Sequence, residues 1–243
     1  MGSAAKAEPA LKDGEKGVII QRDRKTYAIV PHFRCGILTS SDLRRIADVA
    51  DKFGCQAIKL TNAQRIALIG LREDQIDAAW AALEMPKGPA IGDCVRSVKA
   101  CPGTTFCKRA QQDSIALGYS LDRLFLGKPM PAKVKIGVSG CPNQCSETAI
   151  KDIGLVGFRK GWEIWIGGSG GVAPRLATRF ARELDEERVI AVVDGLLDYY
   201  SHHGKPKERF HKFITRVGLG ELARLLGLPL LEAPMDAQYQ PNA

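Results

Sequence analysis

Along residues 17–85 the spacing of apolar positions switches repeatedly between strand-like and helix-like. Gly17-Val18-Ile19-Ile20 and Thr26-Tyr27-Ala28-Ile29-Val30 are short runs rich in β-branched and aromatic residues, with the polar stretch 21–25 between them. They read as two strands joined by a turn. Ser40-Ser41-Asp42 supplies a helix start, and Leu43, Ile46, Ala47, Val49, Ala50 and Phe53 then recur on one helix face until Gly54. Residues 57–60 and 66–69 flank Thr61-Asn62-Ala63-Gln64 as a hairpin. A second helix is expected from Glu73-Asp74 through Ile76, Ala79, Trp80 and Leu83, stopped by Met85-Pro86-Lys87-Gly88-Pro89. Two helices on one face of an antiparallel sheet form an α+β domain.

Beyond Ala90 the texture changes. Residues 133–138 read as a strand, and Cys141-Pro142-Asn143-Gln144-Cys145 is expected to open a helix through residue 150. Residues 154–158 and 162–166 form a hairpin across Arg159-Lys160-Gly161, and 186–200 and 208–226 read as helices. The chain therefore divides into a mobile arm (1–16), a first domain (17–88), a second α+β domain (89–231) and an irregular polar tail (232–243).

The 243 residues, 45% hydrophobic, can build a core in one domain or two small ones. No apolar run is long enough to cross a bilayer, and the polar start lacks the apolar core of a secretory signal, so a cytoplasmic protein with no membrane partner is expected. A net charge of +8 suits a basic solvated surface, and equally nucleic acid, an acidic protein or an anionic cofactor. Nucleic acid is disfavoured, because aromatic residues are not interleaved with the basic ones and no helix-turn-helix or zinc-finger spacing is present.

Seven cysteines in such a chain suggest metal binding, redox chemistry or core packing rather than a disulfide framework. Four form the pairs Cys101-x5-Cys107 and Cys141-x3-Cys145, each with Pro or Gly beside it. Four thiolates on turns are what a [4Fe–4S] cube requires. Zinc, whose structural sites favour tighter knuckles, and buried free thiols stay open on spacing alone. Cys35, Cys55 and Cys94 fit neither pair and read as core cysteines.

Cys101-Pro-Gly-Thr-Thr-Phe-Cys107, Val138-Ser-Gly-Cys141-Pro-Asn-Gln-Cys145 and Asp152-Ile-Gly-Leu-Val-Gly157 follow one another, then Ile166-Gly-Gly168, Glu208-Arg-Phe210 and Arg216-Val-Gly-Leu219. In these motifs and their order the chain resembles the sirohaem-dependent nitrite and sulfite reductases over residues 17–226, its type being the small single-unit sulfite reductases. The resemblance implies a ferredoxin-like half domain followed by a sirohaem and [4Fe–4S] domain. It implies that Cys101, Cys107, Cys141 and Cys145 hold the cluster, with Cys145 bridging to the sirohaem iron.

It further implies an anion cage of Arg96, Lys133 and Lys135. Residues 133 and 135 share a face if the segment is extended; without the resemblance they read as solvated lysines. Where many members carry an arginine in the half-domain motif this chain has Ala63, and Arg65 is the nearest cation and a further cage candidate. Sirohaem bears many carboxylates, for which Asn143, Lys108, Arg109, Arg175 and Arg179 are candidate partners, with Gly167, Gly168, Gly170 and Gly171 allowing close backbone approach. The implied activity is six-electron reduction of a small oxyanion, sulfite to sulfide, with nitrite to ammonia as the alternative. No nicotinamide-type Gly-x-Gly-x-x-Gly appears, so an external donor such as a ferredoxin is expected. A non-catalytic electron-transfer subunit shares the cysteines but has no use for the cage. The unit occurs once, which suggests a homodimer in which each chain offers its cage to the other's sirohaem.

Overall fold

The computed structural model describes residues 9–231; the first eight residues of the expected arm and the tail from 232 lie outside them. The chain forms two compact units that meet in sequence at Gly92 and Asp93.

The first unit contains β1 (Val18–Ile20), β2 (Tyr27–Ile29), α1 (Ser40–Lys52), β3 (Ala57–Leu60), β4 (Ile66–Leu71) and α2 (Ile76–Leu83). The strands lie in the order β1-β2-β4-β3, each pair antiparallel. Ile46 and Val49 of α1 and Ile76, Trp80 and Leu83 of α2 pack with Ile29, Leu68 and Leu71 of the sheet. Each such side chain contributes about 1.5–3 kcal/mol on burial. The cap of α1 is Thr39, one residue before the expected start. Its hydroxyl accepts from the Asp42 amide (3.1 Å), and the Asp42 carboxylate accepts from the Thr39 amide (2.8 Å).

Two borders differ from the sequence reading. Residues 9–16 are no loose arm: Leu11 is buried, its amide donates to the Tyr27 hydroxyl (3.0 Å), and Asp13 accepts from the Ile20 amide (2.8 Å). The Trp80 indole N–H also donates to Lys16 O (2.9 Å), tying the segment to α2. At the other end the first unit runs past the expected border at 88, as far as Gly92. The His32 amide donates to Pro86 O (2.9 Å), and Gly88 lies so close to His32 that a Cβ there would fall 2.5 Å from the His32 Cβ.

The second unit contains β5 (Lys99–Ala100), α3 (Gly103–Phe106), α4 (Ser114–Phe125), β6 (Ile136–Ser139), β7 (Ile153–Phe158), β8 (Gly161–Ile166), β9 (Thr178–Leu184), α5 (Glu186–His203), α6 (Phe210–Val217) and α7 (Leu219–Leu225). Its sheet runs β5-β6-β7-β8-β9; β6 is parallel to both β5 and β7, and the remaining pairs are antiparallel. Every residue of β6 is buried, as expected of a parallel strand covered on both faces. Asp113 caps α4 by accepting from the Ile115 and Ala116 amides (both 3.1 Å).

Three expectations are corrected. β6 begins at Ile136, so Lys133 and Lys135 precede it and flank Val134, which forms a single bridge to Val95. The segment after Cys145 is no helix, because Gln144 (φ 50°) and Glu147 (φ 57°) adopt left-handed backbone and leave only a 3-10 turn at Thr148–Ile150. The helix expected over 208–226 is two, since Gly218 at φ +90° breaks it. Neither α4 nor β9 was anticipated. Among the described residues no helix is long and apolar enough to cross a membrane.

Candidate metal centre and anion site

The two cysteine pairs meet because β5 and β6 are neighbours. Ala100 pairs with Val138, so Cys101 and Cys141 leave the same end of the sheet. The Cys101 amide donates to Val138 O (3.1 Å), and the Gly140 amide donates to Cys101 Sγ (3.1 Å). Gly140 O accepts from the Gln111 (2.7 Å) and Gln112 (3.0 Å) amides, which ties the 101–112 loop to the loop holding Cys141 and Cys145. Glycine is needed where these segments touch. A Cβ on Gly103 would lie 2.5 Å from Ser114 Oγ, and one on Gly140 would lie 2.6 Å from Gln112 O.

All four thiols are free; Cys101 and Cys141 are buried, Cys107 is half-buried and Cys145 is exposed. Among the described residues no three His, Cys, Asp or Glu side chains gather around a single-ion position. The donor set is instead four sulfurs on turns, one already receiving a backbone N–H. That suits a cluster with one thiolate per iron, whose sulfurs need such donors.

Beside the cysteine loops stands a wall of cations. Exposed Lys133 and Lys135 alternate with buried Val134 and Ile136, so the two ammoniums share a face despite lying outside the strand. The Arg96 amide donates to Val134 O (2.9 Å), which brings the Arg96 backbone alongside. Burial, helped by the neighbouring charges of Lys133, Arg209 and Arg96, pushes the Lys135 ammonium below its ordinary range against the pull of Asp152. Burial likewise lowers Arg96.

Sequence reasoning missed several members of this wall. Lys151 is buried; its ammonium donates to Glu147 (2.9 Å), and Lys99 meets the same carboxylate at 3.1 Å. The Lys151 bond, joined by the one from Lys99, outweighs burial and holds Glu147 at about 2. A Cβ on Gly137 would touch Lys151 Cγ (2.9 Å) and Ser146 O (3.2 Å), so the chain just past Cys145 lies over β6, two residues from Lys135. Arg209 pairs with buried Asp152 at 3.0 Å. The His211 ring is pushed down by burial and by the charges of Arg175 and Arg209. Arg209 Nε, His211 Nδ1 and Ser146 Oγ are buried atoms without a hydrogen-bond partner. Such orphaned atoms beside a cationic wall fit a bound, many-charged anion. Arg209 stands in the Glu208-Arg-Phe210 motif, the one sequence signal that could have found it.

Other expected contacts are distributed unevenly. Lys108, Arg109 and Asn143 are exposed on the cysteine loops. Gly167 takes φ +84°, and a Cβ on Gly168 would lie 2.5 Å from Lys151 O, so this glycine pair turns close beside the wall. Gly170 and Gly171 lie in an exposed loop closed by reciprocal Ser169 and Arg175 backbone bonds (2.9 and 2.8 Å). Arg179 is instead taken up by Glu163 (3.0 Å) and lies over the Trp165 ring. Arg65 leaves the cage: it is 3% exposed, and its guanidinium donates to the carbonyls of Pro31 (3.1 Å), Gly88 (3.0 Å) and Val30. Arg65 braces the first unit. Cys35 and Cys94 are buried and Cys55 half-buried; burial pushes the Cys55 and Cys94 thiols up, as in inert core cysteines.

Residues 91–233 match the nitrite and sulphite reductase 4Fe-4S domain, and residues 19–86 match the nitrite/sulfite reductase ferredoxin-like half domain. An assimilatory-type sulfite reductase of Nitratidesulfovibrio vulgaris is 38% identical over 209 residues, covering 86% of this chain and 96% of that protein. An NAD(P)H nitrite reductase of Bacillus subtilis is 41% identical over 210 residues, 86% of this chain but 26% of its own length. Dissimilatory sulfite reductase I superposes with a TM-score of 0.76 at 16% identity, covering 90% of this chain and 72% of that one. NirA of Mycobacterium tuberculosis gives 0.75 at 20%, covering 86% and 42%. At these identities the two structures testify to the fold.

Proposed function

The chain belongs to the nitrite and sulfite reductase family of oxidoreductases, and from that premise we propose that it reduces sulfite to sulfide, a six-electron reduction, at a sirohaem coupled to a [4Fe–4S] cluster. The observation that carries this reading is the set of cations gathered around Lys135, at the strand over which the chain just past Cys145 folds back. An electron carrier needs the four thiolates; Arg96, Lys133 and Lys135 add what binding a small oxyanion requires. The similar Nitratidesulfovibrio vulgaris sulfite reductase, aligned over 96% of its length, favours sulfite. Nitrite is the second reading, supported by the relative in Bacillus subtilis.

Cys101, Cys107, Cys141 and Cys145 would hold the cluster, and Cys145, the exposed member, would bridge outward to the sirohaem. Arg175, Lys108, Arg109 and Asn143, with the backbone at Gly167 and Gly168, would meet its carboxylates. When bound, sirohaem and cluster supply an electron-rich iron at which the oxyanion is reduced. The chain's own residues do the rest. Arg96, Lys133 and Lys135 offset the anion's charge. Lys135, held below the ordinary lysine range, releases a proton more readily than a solvated ammonium as oxygen leaves as water. Electrons would come from an external donor such as a ferredoxin. Exposed Arg159 and Lys160, on a cavity of about 480 Å³ also lined by Gln111, Pro142, Phe158, Glu163 and Glu183, would steer an acidic protein to the cluster loops.

Turnover of anaerobically purified holoprotein with a reduced viologen dye tests the assignment. The expected result is sulfide from sulfite with a higher kcat/KM than ammonia from nitrite. The reverse ranking would make nitrite the substrate, and no turnover of either would end the catalytic reading.

The unit that carries both the four cysteines and the cage occurs once in this chain. One chain's cysteines would then hold the cofactors while a second chain's Arg96, Lys133 and Lys135 would serve the oxyanion. We therefore propose a two-fold dimer in which each chain's lysines face the other's sirohaem. Mixing inactive Cys145→Ser chains with inactive Lys133→Met/Lys135→Met chains should restore activity. A monomeric mass by light scattering with no recovery on mixing would refute the shared site.

A further inference from the structure

Asp152 is 1% exposed, yet it sits among cations. Its Oδ2 accepts from the Lys135 amide (2.9 Å), and Arg209 Nη2 donates to Oδ1 (3.0 Å) and Oδ2 (3.3 Å). Its own carbonyl accepts from the Gly167 amide (2.9 Å). One buried carboxylate thus joins the segment entering β6, the start of β7, the glycine turn after β8 and the N-cap of α6. A buried carboxylate is costly unless it is paired and fully hydrogen-bonded. Here the pairing fixes two things at once, the backbone that carries Lys135 and the guanidinium of Arg209.

A clamp needed only for the fold would not require like charges around it. Arg209 nevertheless lies close enough to Lys135 and His211 for its charge to push both downward. Its Nε is buried without a hydrogen-bond partner, as is His211 Nδ1. Mutually repelling cations with unused donors are stabilised by an anion between them. We propose that Arg209 is a further cation of the oxyanion site, and that Asp152 is a positioning residue holding Arg209 and Lys135 in register. This rests on the reading of the chain as an oxyanion reductase.

A substrate oxyanion and a cofactor carboxylate offer Arg209 the same chemistry, so the experiment must separate them. Asp152→Asn, Arg209→Met and Arg209→Lys holoproteins would be compared for iron and sirohaem content, melting temperature, sulfite Kd by spectral titration of the resting enzyme, and KM against kcat. The expected result is sulfite binding weakened about ten- to hundredfold in Arg209→Met and Asp152→Asn, the loss of a charge-assisted bond. Cofactor content per chain should hold, and Arg209→Lys should recover part of the affinity. Unchanged Kd and KM in Arg209→Met would overturn the proposal. So would a fall in sirohaem content with normal Kd in the loaded fraction, which would make Arg209 a cofactor contact. Should Asp152→Asn fail to fold, the Arg209 pair decides alone. A wild-type enzyme that binds neither sulfite nor nitrite would overturn the reductase reading and this inference together; wild-type binding with indistinguishable variants overturns this inference only.

Discussion

Cys145→Ser is expected to abolish turnover, by about a hundredfold or more, while leaving the fold intact. Even residues that only support metal ligands cost about 10–100-fold when changed, and this change touches the ligand itself. Serine is isosteric, but its hydroxyl pKa is too high for an anionic ligand at neutral pH. Cys145 is exposed at a turn, whereas Cys101 and Cys141 are buried and bonded into the sheet end. Its replacement should therefore leave the melting temperature of the cofactor-free chain unchanged. Iron analysis, the visible spectrum and the turnover rate measure the effect. Wild-type turnover with coupled iron signals in the variant would show that another residue forms the bridge.

The second large effect is expected in the Lys133→Met/Lys135→Met double variant, a loss of about a hundredfold or more in kcat/KM, comparable with removing a preorganised charge-stabilising group. KM should rise because anion binding weakens, and kcat should fall because proton supply is lost. Both side chains project from an extended segment whose buried positions are Val134 and Ile136, so methionine at 133 and 135 leaves the packing in place. The pH profile carries a sign as well. Burial and neighbouring cations lower Lys135, so the alkaline limb of wild-type kcat/KM should fall below the ordinary lysine range, and the limb should disappear in Lys135→Met. Unchanged kinetics would return both lysines to the role of solvated surface charge.

Much of the first unit was legible because its elements are locally encoded. Apolar spacing marked α1 and α2, and turn residues marked the hairpin of β3 and β4. The cysteine pairs and the Lys-x-Lys alternation were also plain in sequence, since ligand type and period two are local properties. What failed were backbone choices set by packing. Gln144 and Glu147 take left-handed conformations that propensity does not favour, because the loop must turn back over β6. Arg65 looked like a cage member by position, but its charge is spent on three carbonyls of its own unit.

By itself, then, the sequence determined which residues could do chemistry and in what order they occur: four thiols on turns, two alternating lysines, a basic chain. Only the tertiary structure decided which of them meet. The β5-β6 pairing puts Cys101 beside Cys141, and close glycine contacts lock their loops together. A carboxylate buried at the junction of four segments draws Arg209, 57 residues away in sequence, to the lysine wall. The physical reason is that chemistry resides in side-chain type, which is local. Convergence depends on long-range strand register and on neutralising buried charge, and neither is written at any one position in the chain.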